Sequence, residues 1–358
     1  MKIPEIIILP PNRVWRTYQG GKILDSIEGK SDPDDSHLPE DWIASTTAAV
    51  NKGREEFNNE GLSQIEIDNS MIPLKELMEK FPHEIPGINH YKKYGANTQF
   101  LLKFLDSAIR LHIQVHPTIP FAQKYLKSNS GKTEAYVILN IREEITNPYI
   151  YLGFQKEISK KDFKKIIAEQ NTNKLISCFE KIHVQPGDVF IVPGGLPHAI
   201  GEGIFMIEIM EPTDFVARLE FERGGYLLPE QARFMGRDID FALNMINFTP
   251  LSVKKIKEKY FCYPRLINET PGGKEFILID ENHTKCFSVN KLIINESHAK
   301  ISDSFYAGIV TKGSGKIITE HQQVKIKTGD KFFIPYKTKK AEYFADQGME
   351  IILAFPPM

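Results

Sequence analysis

Cysteine is scarce in this chain. Cys178, Cys262 and Cys286 are odd in number, far apart and in no C-x-x-C pair. That spacing excludes a disulfide framework and a thiolate zinc site, and predicts buried free thiols. Long apolar runs are missing too: the run Ile6 to Leu9 stops at Pro10 and Pro11, too short for a signal-peptide core or a membrane span. A cytoplasmic location is the expectation. Nor is there a surplus of charge, since 45 Lys and Arg face 46 Asp and Glu for a net −1. Such a balance offers no electrostatic case for nucleic acid or an anionic membrane surface as partner. What is present is ordinary for a globular protein: 358 residues, 41% hydrophobic and 25% charged, enough for a sizeable core and two domains.

The stretch that stands out is Leu111-His112-Ile113-Gln114-Val115-His116-Pro117. As a strand it projects His112, Gln114 and His116 from one face and Ile113 and Val115 from the other. A row of polar side chains facing an interior needs hydrogen bonds, water or a metal. After a loop, Gly131-Lys132-Thr133-Glu134 opens an apolar run to Ile141 and supplies a carboxylate; if the chain is extended there, Lys132 and Glu134 share a face with Tyr136. Later, Pro186-Gly187-Asp188 leads through Val189 to Val192 into Pro193-Gly194-Gly195-Leu196-Pro197-His198, which reads as turn, short strand, turn and histidine. A glutamine oxygen, two imidazoles and a carboxylate can hold one divalent metal and leave coordination positions open.

Gly187 to His198 matches the second cupin motif, G-x5-P-x-G-x2-H, with Glu202 where that motif ends in Asn. The Gln-Val-His-Pro and Gly-Lys-Thr-Glu blocks, in this order before it, resemble the type I mannose-6-phosphate isomerases. The likeness also takes in Leu38 to Ser45, Lys103 to Asp106, His198 to Gly203 and Glu211 to Arg218, most of the first 240 residues. It implies one Zn²⁺ on Gln114, His116, Glu134 and His198. Neutral Gln and His with one carboxylate would leave the centre near +1, suited to polarising a carbonyl or stabilising an enediolate. The implied activity is interconversion of mannose 6-phosphate and fructose 6-phosphate, with Lys132 and Arg218 as catalytic residues and Lys103 and His112 at the substrate. Two residues depart from the pattern: His112 stands where serine is usual in phosphate recognition, and Trp15-Arg16-Thr17 where W-G-G is common. An isomerase of an unphosphorylated aldose and a non-catalytic, metal-dependent sugar-binding cupin are the alternatives; an iron oxygenase fits the Gln-Val-His variant poorly. Read without the resemblance, Arg218 among alternating carboxylates would be a structural ion pair, and Glu208 a solvent-facing strand residue as readily as a site carboxylate.

The expected fold is mainly β, two cupin-type barrels forming a bicupin jelly roll. An N-terminal metal-binding domain would span 1–248, with two amphipathic helices inserted at about 157–181, and a degenerate cupin-like domain 249–358. Short helices are expected at 72–81 and 121–126 and a helical surface connection at 228–245. Candidate strands in the second unit are 275–278, 287–294 and 306–310. Gly329-Asp330 through Ile334 to Pro335 repeats the G-x5-P element, but no glycine or histidine follows, which predicts a second unit without a metal site.

Overall fold

The structure, a computed structural model, describes residues 2–57 and 59–357. Strands predominate, and three antiparallel sheets organise them. The first has seven strands in the spatial order Phe261–Cys262, Val189–Val192, Glu134–Ile141, Ile204–Met210, Leu101–Asp106, Glu40–Ile43 and Arg13–Val14. A second has five: Ile182–His183, Tyr149–Leu152, His198–Ile200, Gln114–Val115 and Ala217–Arg218. Residues after 262 join a nine-stranded sheet that runs from Ile7–Leu9 at one edge to Arg265–Thr270 at the other. No helix among the described residues is long and apolar enough to cross a membrane.

Alternation along the strands decides which side chains face the site. Ile113, Val115, Ala199 and Ala217 leave the five-stranded sheet on its outer face and pack with Phe163 and Leu175. These last two come from helices Lys160–Ala168 and Thr172–Ile176, the expected insertion, capped at their starts by Ser159 and Asn171. The insertion is therefore a lid on the back of the sheet that carries the histidines. Helices at Leu74–Lys80 and Ile119–Leu126 stand where short helices are expected, whereas 228–245, expected as a helical surface connection, forms two short helices, Glu230–Arg233 and Ile239–Leu243, that bury Ala232, Ala242 and Leu243.

The strand at Leu111–Pro117 is shorter than its pattern predicts, with only Gln114–Val115 paired as a strand. The reason is Glu220. Its carboxylate accepts the Ile113 N–H at 2.7 Å while held by both terminal nitrogens of Arg110 at 2.7 Å, so a side chain takes the place of a ladder partner. The expected division at 248/249 is crossed by two strands. Phe261–Cys262 pairs with Val189 and Phe190 of the seven-stranded sheet, whereas Ile7–Leu9 pairs with Lys331–Phe333 of the nine-stranded one. The repeated G-x5-P element folds alike in both sheets. Gly187 and Gly329 have φ of 95° and 91°, and the aspartate after each accepts a backbone N–H three residues back, from Gln185 at 2.9 Å and Lys327 at 2.8 Å. Cys178, Cys262 and Cys286 are free, the first two buried and the third half-buried.

Candidate metal centre

Register across the two N-terminal sheets builds the site. In the five-stranded sheet His198 lies opposite Gln114, and Gln114 opposite Arg218. In the seven-stranded sheet Trp42 lies opposite Lys103, Lys103 opposite Glu208, and Glu208 opposite Tyr136. Directly opposed residues share a face, and residues two apart along a strand join them, which brings in Glu134 and Glu40. Each sheet thus carries a polar row, and His116 and His198 reach Glu134 across the gap.

His116, Glu134 and His198 are fully buried, and their candidate ligand atoms lie within 4.8 Å of one another. The His116 Nδ1 faces the Phe215 carbonyl at 2.7 Å and the His198 Nδ1 the Leu196 carbonyl at 2.9 Å. A carbonyl only accepts, so both Nδ1 atoms carry hydrogen and both neutral rings turn the Nε2 lone pair to the carboxylate. Those Nε2 atoms stand 3.0 and 3.3 Å from Glu134 oxygens, and Glu134 Oε1 has no hydrogen-bond partner. Two lone-pair nitrogens against a carboxylate repel one another, and a divalent cation among them removes the repulsion. Burial outweighs Glu134 and pushes the His116 pKa down to about 3, in keeping with an uncharged ligand. The Gln114 amide lies 3.4 Å from His198 Nε2, and a half-turn about its terminal bond presents Oε1 to the same point. The four residues suit a metal ion.

Lys132 sits 3.2 Å from Glu134 and 3.5 Å from His116 Nε2. Together with Lys103, His112, Gln114, Glu208 and Arg218 it lines a small inner cavity of about 20 Å³. Lys103 is already matched, at 2.8 Å from Glu208 and 3.2 Å from Glu40. Burial, reinforced by Glu134 and Glu40, outweighs Lys103 and raises Glu208 to about 8. His112 Nδ1 donates to the Glu220 carbonyl at 3.0 Å, and burial together with the Arg218 charge lowers its pKa to about 3. Among the described residues Arg218 has no ion-pair partner: it donates to the Ala232 carbonyl at 3.1 Å, and burial beside Arg16 lowers its pKa to about 10. The carboxylate that alternation offered it, Glu220, pairs with Arg110 instead.

Residues that sequence reasoning left without a role complete the wall. Arg16 makes a two-pronged ion pair with Asp214, both contacts 3.0 Å, and approaches Glu40 at 3.5 Å. Glu40 also accepts from Trp42 Nε1 at 2.7 Å and from the Tyr18 hydroxyl, while the Tyr136 hydroxyl donates to Glu134. Outside the cavity a larger cleft of about 480 Å³ is lined by Trp15, Tyr125, Tyr226, Lys52, Lys127 and Arg237 among others; Thr17, Val216 and Arg218 belong to both spaces. Arg218 stands at the neck between them.

Comparison with known proteins points to one family. Residues 281–353 match the family model "Mannose-6-phosphate isomerase, cupin domain". The chain is 27% identical over 243 residues to the probable mannose-6-phosphate isomerase GmuF of Bacillus subtilis, covering 67% of this chain and 70% of that protein. It is 26% identical over 293 residues to the mannose-6-phosphate isomerase of Streptococcus mutans, covering 78% and 80%. The crystal structure of the mannose 6-phosphate isomerase from Bacillus subtilis superposes with a TM-score of 0.76 at 22% identity, over 98% of this chain and 99% of that one. The chain is similar to the mannose-6-phosphate isomerases in sequence and in fold, and its second unit matches their cupin domain. A zinc-bound mannose 6-phosphate isomerase shares the fold as well, with a TM-score of 0.73 at 14% identity over 99% and 100% of the chains. The family model falls on the second unit, where sequence motifs are weakest, while the metal group lies wholly in the first.

Proposed function

We propose that this protein is a zinc-dependent aldose-ketose isomerase that interconverts mannose 6-phosphate and fructose 6-phosphate. The observation that carries the reading is the buried His116, Glu134 and His198 group, its lone pairs converging beside a cavity edged by an unpaired arginine. Relatives named for this activity agree with it. Each half of the chain forms a cupin-type barrel in this reading, the second without a metal of its own.

Zn²⁺ held by Gln114, His116, Glu134 and His198 would supply a Lewis acid for the sugar's carbonyl and hydroxyl oxygens. The remaining work falls to side chains. Lys132 and Glu208, on one polar row, are the proton-handling groups: Glu208 holds a proton near neutral pH because burial raises it, and Lys132 can donate along the cavity wall. Arg218 offers its unmatched charge to the oxyanion that builds up during proton transfer, or to the substrate phosphate at the neck. Lys103 holds Glu208 and Glu40 in place.

The test is a coupled assay for fructose 6-phosphate made from mannose 6-phosphate by zinc-reconstituted protein, with mannose and a chelator in parallel. Turnover of the phosphosugar, lost on chelation and restored by zinc, is expected. His198→Ala should lose both bound zinc and activity; full metal with full activity in that variant would remove the site assignment.

A further inference from the structure

We propose that His112 reads a hydroxyl group of the sugar through its Nε2 and is not a phosphate ligand. The inference deepens the isomerase reading and rests on it. His112 is 2% exposed and lines the inner cavity together with Gln114 and Arg218. Its Nδ1 is committed to the Glu220 carbonyl at 3.0 Å, whereas its Nε2 is buried without a hydrogen-bond partner. Buried polar atoms are nearly always satisfied, so one left bare beside a cavity points to a partner that arrives with the ligand.

The chemistry of that partner follows from what Nε2 offers. With the ring hydrogen on Nδ1, held there by the Glu220 carbonyl, Nε2 presents a lone pair. Phosphate oxygens at neutral pH are overwhelmingly acceptors and would meet that lone pair with their own. A sugar hydroxyl donates to it. Cationic matches for a phosphate exist elsewhere, at Arg218 on the neck and at Lys52, Lys127 and Arg237 in the outer cleft. His112 lies two residues before Gln114, and the Glu220 that holds it two residues after Arg218, Gln114's partner in the sheet, so the hydroxyl it meets is close to the metal side of the sugar.

The test compares wild-type enzyme with His112→Leu, which removes the acceptor, and His112→Gln, which keeps one. His112→Ala replaces leucine if the larger apolar side chain prevents folding, and zinc content with thermal melting confirms that each variant is intact. For the leucine or alanine variant, kcat/KM for mannose 6-phosphate should fall about 10- to 100-fold, with most of it recovered in His112→Gln. The inhibition constant of inorganic phosphate should stay within about twofold of wild type. Parallel loss of phosphate and substrate affinity would make His112 a phosphate ligand and overturn the proposal. Unchanged kcat/KM would overturn it as well. If wild-type protein fails to turn over mannose 6-phosphate, the isomerase reading falls separately, and calorimetric titration of mannose into zinc-loaded protein still decides the role of His112: equal affinity in wild type and the leucine variant overturns it, about tenfold weaker binding supports it.

Discussion

Arg16 and Arg218 are both buried arginines in one site, yet their surroundings assign them opposite duties. Arg16 is matched twice over, by Asp214 and Glu40, while Arg218 has a single carbonyl and no carboxylate. Removing Arg16 leaves the buried Asp214 without its cation, Glu40 keeping Lys103, and breaking a buried pair in this way costs about 3–5 kcal/mol. Arg16→Ala should therefore lower the urea midpoint sharply. Removing Arg218 takes away a charge that the fold does not neutralise, so Arg218→Ala should leave the midpoint unchanged or raise it while kcat/KM falls about 10²- to 10³-fold. A large stability loss in Arg218→Ala would show an ion pair after all. At this scale the sequence was partly legible. The four candidate metal residues could be named because strand alternation, turn motifs and the blocks that resemble the family are local, and a local pattern survives without coordinates. Arg16, Tyr18, Glu40 and Asp214 could not, since Arg16 and Asp214 are separated by 198 positions and nothing local marks either as a partner of the other. The segments Leu38 to Ser45 and Glu211 to Arg218 carried the only signal, likeness to the family, and it did not say what the residues touch.

The three motifs are separate in the chain but meet on one backbone segment, Pro117 and Thr118. A Cβ built on Gly131 would lie 2.6 Å from the Pro117 carbonyl oxygen and 2.7 Å from Ile119 N; one on Gly194 would lie 2.5 Å from that same oxygen. These glycines are required by close approach, because any side chain would push the Pro117 turn and the adjacent His116 with it. Gly194→Ala should destabilise the protein by about 1–3 kcal/mol and weaken zinc retention against a chelator titration, since it displaces a ligand-bearing element. Stability loss with unaltered zinc affinity would mean the turn absorbs the strain without moving His116. The nine-stranded sheet has a polar cluster of its own. Glu275 is bonded to Asn290 and Lys300, each at 2.5 Å, with His298 at 3.6 Å. Burial pushes Glu275 up, but His298, Lys300 and Asn290 outweigh it and bring it down to about 2. A carboxylate depressed in the folded state stabilises above its unfolded value near 4.5 and loses that contribution as pH falls toward 2. The stability difference between wild type and Glu275→Gln, measured by urea unfolding, should thus shrink between about pH 4.5 and 2, with isomerase activity at neutral pH retained. A difference independent of pH across that range would remove Glu275 as a linked group.

Over the whole molecule, two strands cross the division expected from the sequence, because strand partners are exchanged between the ends of the chain. The fall of motif content after residue 248 marks where chemistry stops, not where hydrogen bonding does, and a strand as short as Ile7–Leu9 carries no signal that its partner lies more than 300 residues away. Mainly β character was legible from short alternating runs, and the second unit's strands at Gly273–Ile279, Ser288–Ile294 and Tyr306–Ile318 fall on those expected. What joins the units is visible only in three dimensions. Lys331, on the strand that pairs with Ile7–Leu9, is buried and donates to Asp41, which also accepts the Asn12 N–H at 2.9 Å. Asp41 belongs to the strand Glu40–Ile43 and is the immediate neighbour of the site residue Glu40, so one ion pair ties the second unit to the wall of the metal site. Lys331→Met keeps the length and apolar stem of the side chain but strands a buried carboxylate, a loss of about 3–5 kcal/mol. Asp41→Leu combined with Lys331→Met removes both charges and should recover much of that loss, because replacing a buried pair by apolar residues is often close to neutral. If the units fold as one, scanning calorimetry of Lys331→Met will show a single transition moved to lower temperature. Two resolved transitions would mean that this contact was what coupled them, and that the catalytic unit can stand without the second.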